Sequence, residues 1–206
     1  NASLARGRTY LQRLSLIDMT GLPEQDQVSD DLMLRQLIDD QEAAEFKEWE
    51  MPVNQFSGLQ IDLPQEVGQF PFGTVKGYDD YIARLSQIPT AVAQVTTNMQ
   101  IGMEDGRMPP KFLLEKVLVQ TQTLAGGKAS ESPFAVPLKK FPKSISAAEQ
   151  KRISNAVLLA IANDVQPAYQ PFARFLSGQY IAKGRTESGI WALPAEGRFR
   201  CPTVMA

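Results

Sequence analysis

Ser146-Ala147-Ala148-Glu149, the apolar-rich run that follows to Lys183, and the stop at Gly184-Arg185 decide the fold. The opening tetrad is a capping box: the serine hydroxyl can accept the glutamate amide, and the glutamate can reach back. After it, only Pro167, Pro171 and Gly178 disturb a helical pattern. Ile153, Val157, Ile161, Val165, Ala168, Phe172, Leu176 and Tyr180 recur every three or four residues. At about 100° per residue that stripe drifts roughly half-way round a straight helix by Tyr180. Residues 147–183 as one rod would span roughly 55 Å, whereas a compact chain of this length is a ball of roughly 43 Å. A straight rod therefore does not fit. Pro167 lacks the amide that would bond the Asn163 carbonyl, and Pro171 does the same to Pro167. The spacing predicts a kinked long helix at about 146–183, bent near Asn163 to Pro167. Beyond it, Ser188-Gly189-Ile190-Trp191-Ala192-Leu193-Pro194 reads as one short strand near 189–193 with Trp191 as a core anchor. Tyr169, Phe172, Phe175 and Tyr180, at helical spacing, read as core rather than as a ligand groove.

Upstream, helix signals dominate. Leu4, Leu11, Leu14 and Ile17 give residues 3–18 an apolar face, and Gly21-Leu22-Pro23-Glu24 is a stop followed by a proline-first restart. Val28, Leu32, Leu37, Ile38 and Phe46 support a second helix to Trp49, antiparallel to the first, whose acidic run at Asp39-Asp40 and Glu42 is a solvated face. Residues 51–73 form an irregular segment, in which Leu59-Gln60-Ile61-Asp62-Leu63 alternates like a strand before Pro64. A long irregular stretch inside a domain commonly lines a cleft or covers a core. Asn54 and Gln55 are its ligand-facing candidates; the simpler reading has both amides bonding loop backbone. Thr74 caps a helix to Gln87, Pro89 starts another to about Asp105, and Pro110 or Lys111 opens a third. Gly126-Gly127-Lys128 lacks the upstream glycine and the Ser/Thr of a phosphate loop, and it follows a helix, so it reads as a C-cap. Residues 133–142 are a loop with a helical turn. The expected class is all-α, with long antiparallel helices.

Composition narrows the function. The 206 residues are 43% apolar and 21% charged, ordinary for a globular chain with ample core material. A net charge of -2 gives no electrostatic case for nucleic acid. The longest apolar run, Ala156 to Ala162, is far short of a transmembrane segment. There is no histidine and a single cysteine, Cys201, which reads as incidental. Imidazole serves zinc-hydrolase sites, serine triads and most acid-base pairs. No catalytic residue and no metal ligand is therefore assigned. A carboxylate-only enzyme stays formally open, but no pair can be placed from sequence.

Several phrases, in order, carry a resemblance. They are Met51-Pro52-Val53-Asn54-Gln55 with Leu59 to Gln65, Phe72 to Tyr81, Ala83-Arg84-Leu85 with Ile88-Pro89, and Gly102 to Pro110. Glu131-Ser132-Pro133-Phe134, Lys140-Phe141-Pro142, Val165 to Tyr169 and Gly189 to Pro194 follow in register. Together they resemble the amino-terminal half of the bacterial family called Domain of Unknown Function 885. The resemblance implies a mostly helical protein, often exported or lipid-anchored, which points to a periplasmic or lipid-anchored location although no export signal is visible. It also implies a carboxy-terminal half with a His-Glu-x-x-Pro-Gly-His-like, gluzincin-type zinc motif, to which no position here corresponds. On that basis residues 1–197 are expected to form a single helical domain, with 198–206 a divergent tail where the chain departs from the family pattern. A truncated or frame-shifted reading would produce that departure, as would a separately encoded half.

The function expected from this is the non-catalytic helical half of a zinc-metallopeptidase-like hydrolase, inactive alone and providing one wall of a substrate cleft. Asn54, Gln55 and Tyr78 are the cleft-lining candidates. No cofactor is expected in this chain; zinc is implied only for the other half of the family. The expected partners are that half or a homo-oligomer, and a peptide-like substrate in the full-length family. The alternative is a stand-alone helical binding or scaffold protein that forms a homo-oligomer.

Overall fold

The computed structural model describes residues 2–194, with backbone alone at Ala2 and Ser3; the tail 198–206 and Cys201 lie outside the described residues. The chain folds as two compact units. One holds residues up to Glu48 together with Leu193 and Pro194; the other is Trp49–Ala192.

The first unit is an αα-hairpin. Helix α1 (Ala2–Leu14) packs antiparallel on α2 (Glu24–Ala43), and Leu4, Leu11 and Leu14 of the first and Leu34 and Leu37 of the second are half-buried. Arg8 Nε donates to Gln41 Oε1 at 3.0 Å, and Gln41 Nε2 donates to the Leu4 carbonyl at 3.4 Å. Between the helices, Asp18 Oδ1 accepts the Thr20 amide at 2.9 Å; the Thr20 side chain first, and then this amide, hold the Asp18 carboxyl below its ordinary value. Gly21, at φ 80°, turns the chain toward Pro23.

The second unit has the long helix as its spine. Residues 147–183 stay helical throughout, as α7 (Ala147–Ala160), a π turn (Ile161–Val165), α8 (Gln166–Phe175), a second π turn (Leu176–Tyr180) and α9 (Ile181–Lys183). Ser146 Oγ accepts the Glu149 amide at 3.3 Å, whereas the Glu149 carboxylate turns to Arg152 Nε at 2.7 Å; one limb of the capping box forms. All eight residues of the sequence stripe, Ile153 to Tyr180, are buried. The interruption expected near Asn163 to Pro167 is the first π turn. Each π turn takes one more residue than an α turn, about 100° of phase. Two such turns return the half-turn of drift, and the stripe keeps facing the core.

Around this spine stand α3 (Leu59–Glu66), α4 (Val75–Leu85), α5 (Ile88–Glu104) and α6 (Lys111–Ala125). Helix α8 packs on α5 and α6, and α7 on α4. Thr74 caps α4, its Oγ1 accepting the Gly77 amide at 3.2 Å. Tyr78, Tyr81 and Leu85 then bury one face of that helix. Tyr81 OH donates to the Phe134 carbonyl at 2.7 Å and Tyr78 OH to the Pro137 carbonyl at 3.2 Å, pinning the 3-10 turn Pro133–Lys139 onto α4.

Two local expectations change. Residues 59–65 are helix, not strand. Gly58, at φ 115°, reverses the chain at the N-cap, and its amide is received by Asp62 Oδ2 at 2.9 Å. Leu59, Leu63 and Val67 then fall at i, i+4, i+8 toward the core, and Pro64 costs only the bond to the Gln60 carbonyl. The irregular part of 51–73 is thus confined to its two ends. The second change is at 189–193, where Ile190–Ala192 is a 3-10 turn and Trp191 is 71% exposed. Arg185 Nη1 donates to the carbonyls of Glu187 and Gly189 and curls the segment on itself. The one β-bridge among the described residues joins Pro110 to Arg185.

The turn after α5 is held by charge. Arg107 Nε lies 2.9 Å from Glu50 Oε2, and the side chains are 3% and 2% exposed. Gly102 lies against the Glu50 carbonyl so closely that a Cβ would clash with it. Removing one partner strands a buried charge, at a cost of about 3–5 kcal/mol, whereas replacing both by apolar groups is far milder. Arg107→Met is expected to lower unfolding stability by about that amount in urea titrations, and Glu50→Met/Arg107→Met to recover most of it.

Candidate functional site

Asn54 shapes a tight loop rather than presenting its amide. Its Oδ1 accepts the amides of Phe56 at 2.8 Å and Ser57 at 3.1 Å, and its Nδ2 donates to Ser57 Oγ at 2.6 Å. The loop is anchored from both sides. Gln60, buried in α3, donates Nε2 to the Asn54 carbonyl at 2.8 Å, and Gln120 of α6 donates Nε2 to the Gln55 carbonyl at 3.1 Å. Gln60 and Gln120 also bond each other at 3.4 Å. Gln55 is half-buried at the edge of this network, beside an exposed Phe56. Exposed Phe112 and Val119, seven residues apart on α6, share one face of that helix.

Tyr78 has different surroundings. It is fully buried, with ring centroids 4.9 Å from Phe72 and 5.1 Å from Phe141. Burial pushes its phenol up from the ordinary tyrosine value, so at neutral pH it is a hydroxyl donor to Pro137. Asn54 and Gln55 therefore share a loop on α6, and Tyr78 belongs to the packing of α4. The two glutamines that hold the loop, Gln60 and Gln120, had no motif to single them out; an amide at a buried helix position is the signal they carry.

Another opening of the second unit lies between α5 and the first π turn. It is a groove of about 500 Å³, with Val92, Ala93 and Thr96 on one side and Asn163, Pro167 and Phe172 among the residues opposite. Pro167 and Pro171 have no N–H, so the carbonyls of Asn163 and Pro167 lose the donor four residues on. The groove has mostly apolar walls, and Asp164 adds a half-buried carboxylate. Two prolines four apart inside a helix were the sequence signal for it. Pi turns recur at functional positions for the same reason: they open the backbone ladder.

Among the described residues no group of three or more His, Cys, Asp or Glu side chains is placed to hold a metal ion. Also among the described residues, no helix is long and apolar enough to cross a membrane.

Comparison with known proteins bears on this arrangement. The family model described as a bacterial protein of unknown function (DUF885) matches residues 1–200. The chain belongs to the DUF885 family. The DUF885 fold described above is similar to the crystal structure of a candidate lipoprotein from Colwellia psychrerythraea, with a TM-score of 0.76 at 22% sequence identity. That similarity covers 94% of this chain and 35% of the other, so this DUF885 chain spans about a third of that protein's length. No curated protein matches the sequence.

The loop geometry has a measurable consequence. Asn54→Ala removes the acceptor of both loop amides, each bond worth about 1 kcal/mol net. Hydrogen exchange at Phe56 and Ser57 is expected to speed up by about tenfold or more, while the α7 and α8 amides keep their protection. Unchanged exchange at both amides would show that the loop holds itself without Asn54.

Proposed function

We propose that this chain supplies the non-catalytic helical wall of a zinc-metallopeptidase-like hydrolase, and that its α5–α8 groove receives an extended peptide. The hydrolase class rests on the zinc motif that the resemblance implies for the other half of the family; the family model itself is described as a protein of unknown function. The observation that carries the wall role is the groove itself, whose walls, Val92, Ala93, Ala168 and Phe172 among them, are mostly apolar, with the Asp164 carboxylate beside them. A peptide strand laid there would give its apolar side chains to the walls. Gln55, on the loop that Asn54 shapes, is a further proposed contact on the α6 face.

In hydrolases of this class zinc polarises the scissile carbonyl and lowers the pKa of a bound water, with a glutamate as base. This chain's residues orient substrate, exclude water from one side of it and move no proton. The alternative, a stand-alone helical scaffold that works as a homo-oligomer, differs in having no use for the groove.

Two measurements separate these readings. The dialysed chain is expected to hold no stoichiometric zinc, to cleave no peptide, and to bind unlabelled extended peptides weakly in a manner that Ala93→Trp blocks by filling the groove. One tightly bound zinc together with peptide cleavage would overturn the inactive-wall reading. Peptide binding indifferent to Ala93→Trp would overturn the placement in the groove.

A further inference from the structure

The α1–α2 hairpin carries a second groove, independent of the first and in the other compact unit. It holds about 540 Å³ and is lined by Tyr10, Arg13, Leu14, Ile17, Met33 and Leu37. Tyr10, Ile17 and Met33 are each more than half exposed. Helix α2 runs for 20 residues without one buried side chain. Burial of an apolar face is what stabilises a helix in a protein, more than its propensity does. A helix this long with none buried is a face awaiting a cover.

Charge decides what kind of cover fits. Residues 1–48 hold ten carboxylates against five cationic side chains, a balance of -5 in a chain whose total is -2. On α2, Asp26, Asp30 and Asp40 fall within about 60° of Met33, on the face that also carries Leu37. A second copy would bring another hairpin of the same sign against this one, and like charges face to face are destabilising. A basic partner would meet the three carboxylates that flank the groove on α2, with Arg13 on the α1 side the one cation among the lining residues. Methionine adds adaptability, since its unbranched thioether fits apolar surfaces of varied shape.

We propose that this face docks a basic amphipathic helix from another protein segment, its apolar stripe in the Tyr10–Ile17–Met33–Leu37 groove and its lysines or arginines over Asp26, Asp30 and Asp40. This is helix-in-groove recognition, read through anchors at i, i+3/4 and i+7. The α1 side supplies Tyr10 as a rigid aromatic wall; the α2 side supplies Met33 and Leu37 one turn apart. Nothing in the proposal depends on the hydrolase reading, which concerns the second unit.

The test uses the whole chain and a fluorescein-labelled Leu/Lys amphipathic peptide of about 18 residues, long enough to be helical. Anisotropy is expected to rise saturably at about 50 mM salt and the affinity to fall several-fold at about 300 mM, as surface charge is screened. A matched Leu/Glu peptide is expected to bind at least about tenfold more weakly. Ile17→Ser/Met33→Ser, both exposed positions, is expected to weaken the Leu/Lys peptide about tenfold or more with no change in melting temperature. Asp26→Asn/Asp30→Asn/Asp40→Asn is expected to remove the salt dependence, and Val119→Ser on α6 to leave binding unchanged. Equal binding of the two peptides, or binding indifferent to Ile17→Ser/Met33→Ser, would overturn the proposal. So would a dimeric mass by light scattering that Ile17→Ser/Met33→Ser dissolves, since the face would then belong to a second copy.

Discussion

The phase of one helix is the constraint on which the second unit depends. From Ile153 to Tyr180 a single apolar stripe must face a core on one side, and an ideal α-helix rotates it away by about 100° for every residue that 3.6-fold geometry does not absorb. Two π turns, at Ile161–Val165 and Leu176–Tyr180, absorb the excess. Because the stripe stays in phase, α4 can pack on α7 while α5 and α6 pack on α8. The groove between α5 and the first π turn lies beside the same correction, and two residues of the stripe, Ala168 and Phe172, line it.

Buried polar ties then fix the segments that hydrophobic packing leaves loose. Tyr169 OH donates to the Leu59 carbonyl at 2.8 Å, so the start of α3 is tied directly to the spine. Tyr78 and Tyr81 do the same for the 133–139 turn, and the Glu50–Arg107 pair for the entry to α6. Burial pushes the phenols of Tyr81 and Tyr169 up, so each remains a donor across the physiological range. Arg185 is the last tie. Its Nε donates to the Met108 carbonyl at 2.9 Å and its backbone joins Pro109 and Lys111, which returns the end of the spine to the start of α6.

Much of this was legible in the residues, and the reasons differ by element. Thr74, Pro89, Pro110 and Ser146 are start signals whose chemistry is local, so each helix begins where its cap places it. The core stripe was legible because helical spacing survives any tertiary context that buries it. The alternation at Leu59-Gln60-Ile61 misled, because three apolar residues at spacing two also contain an i, i+4 pair, and Gly58 with Asp62 selects the helix. Trp191 misled in another way. A large apolar residue has a high average burial, but in the Arg185-held turn Trp191 is exposed. The site was the least legible part. Asn54 was read as a ligand-facing candidate, and its role as the organiser of Phe56 and Ser57 depends on distances no spacing encodes. The hairpin groove was hidden for a similar reason: in sequence α2 looks like an ordinary amphipathic helix, and only the fold shows that none of its side chains is buried.

The claim that two π turns hold the spine in register is open to one direct measurement. Deletion of Ala162, an exposed residue in the first π turn, would convert that turn to α and rotate Val165 through Tyr180 by about 100° relative to Ile153. The account predicts that the deleted chain loses its cooperative thermal transition or melts far below the parent, with unprotected amides in both α7 and α8. A deletion variant that melts with the parent and keeps the same protection pattern would contradict it.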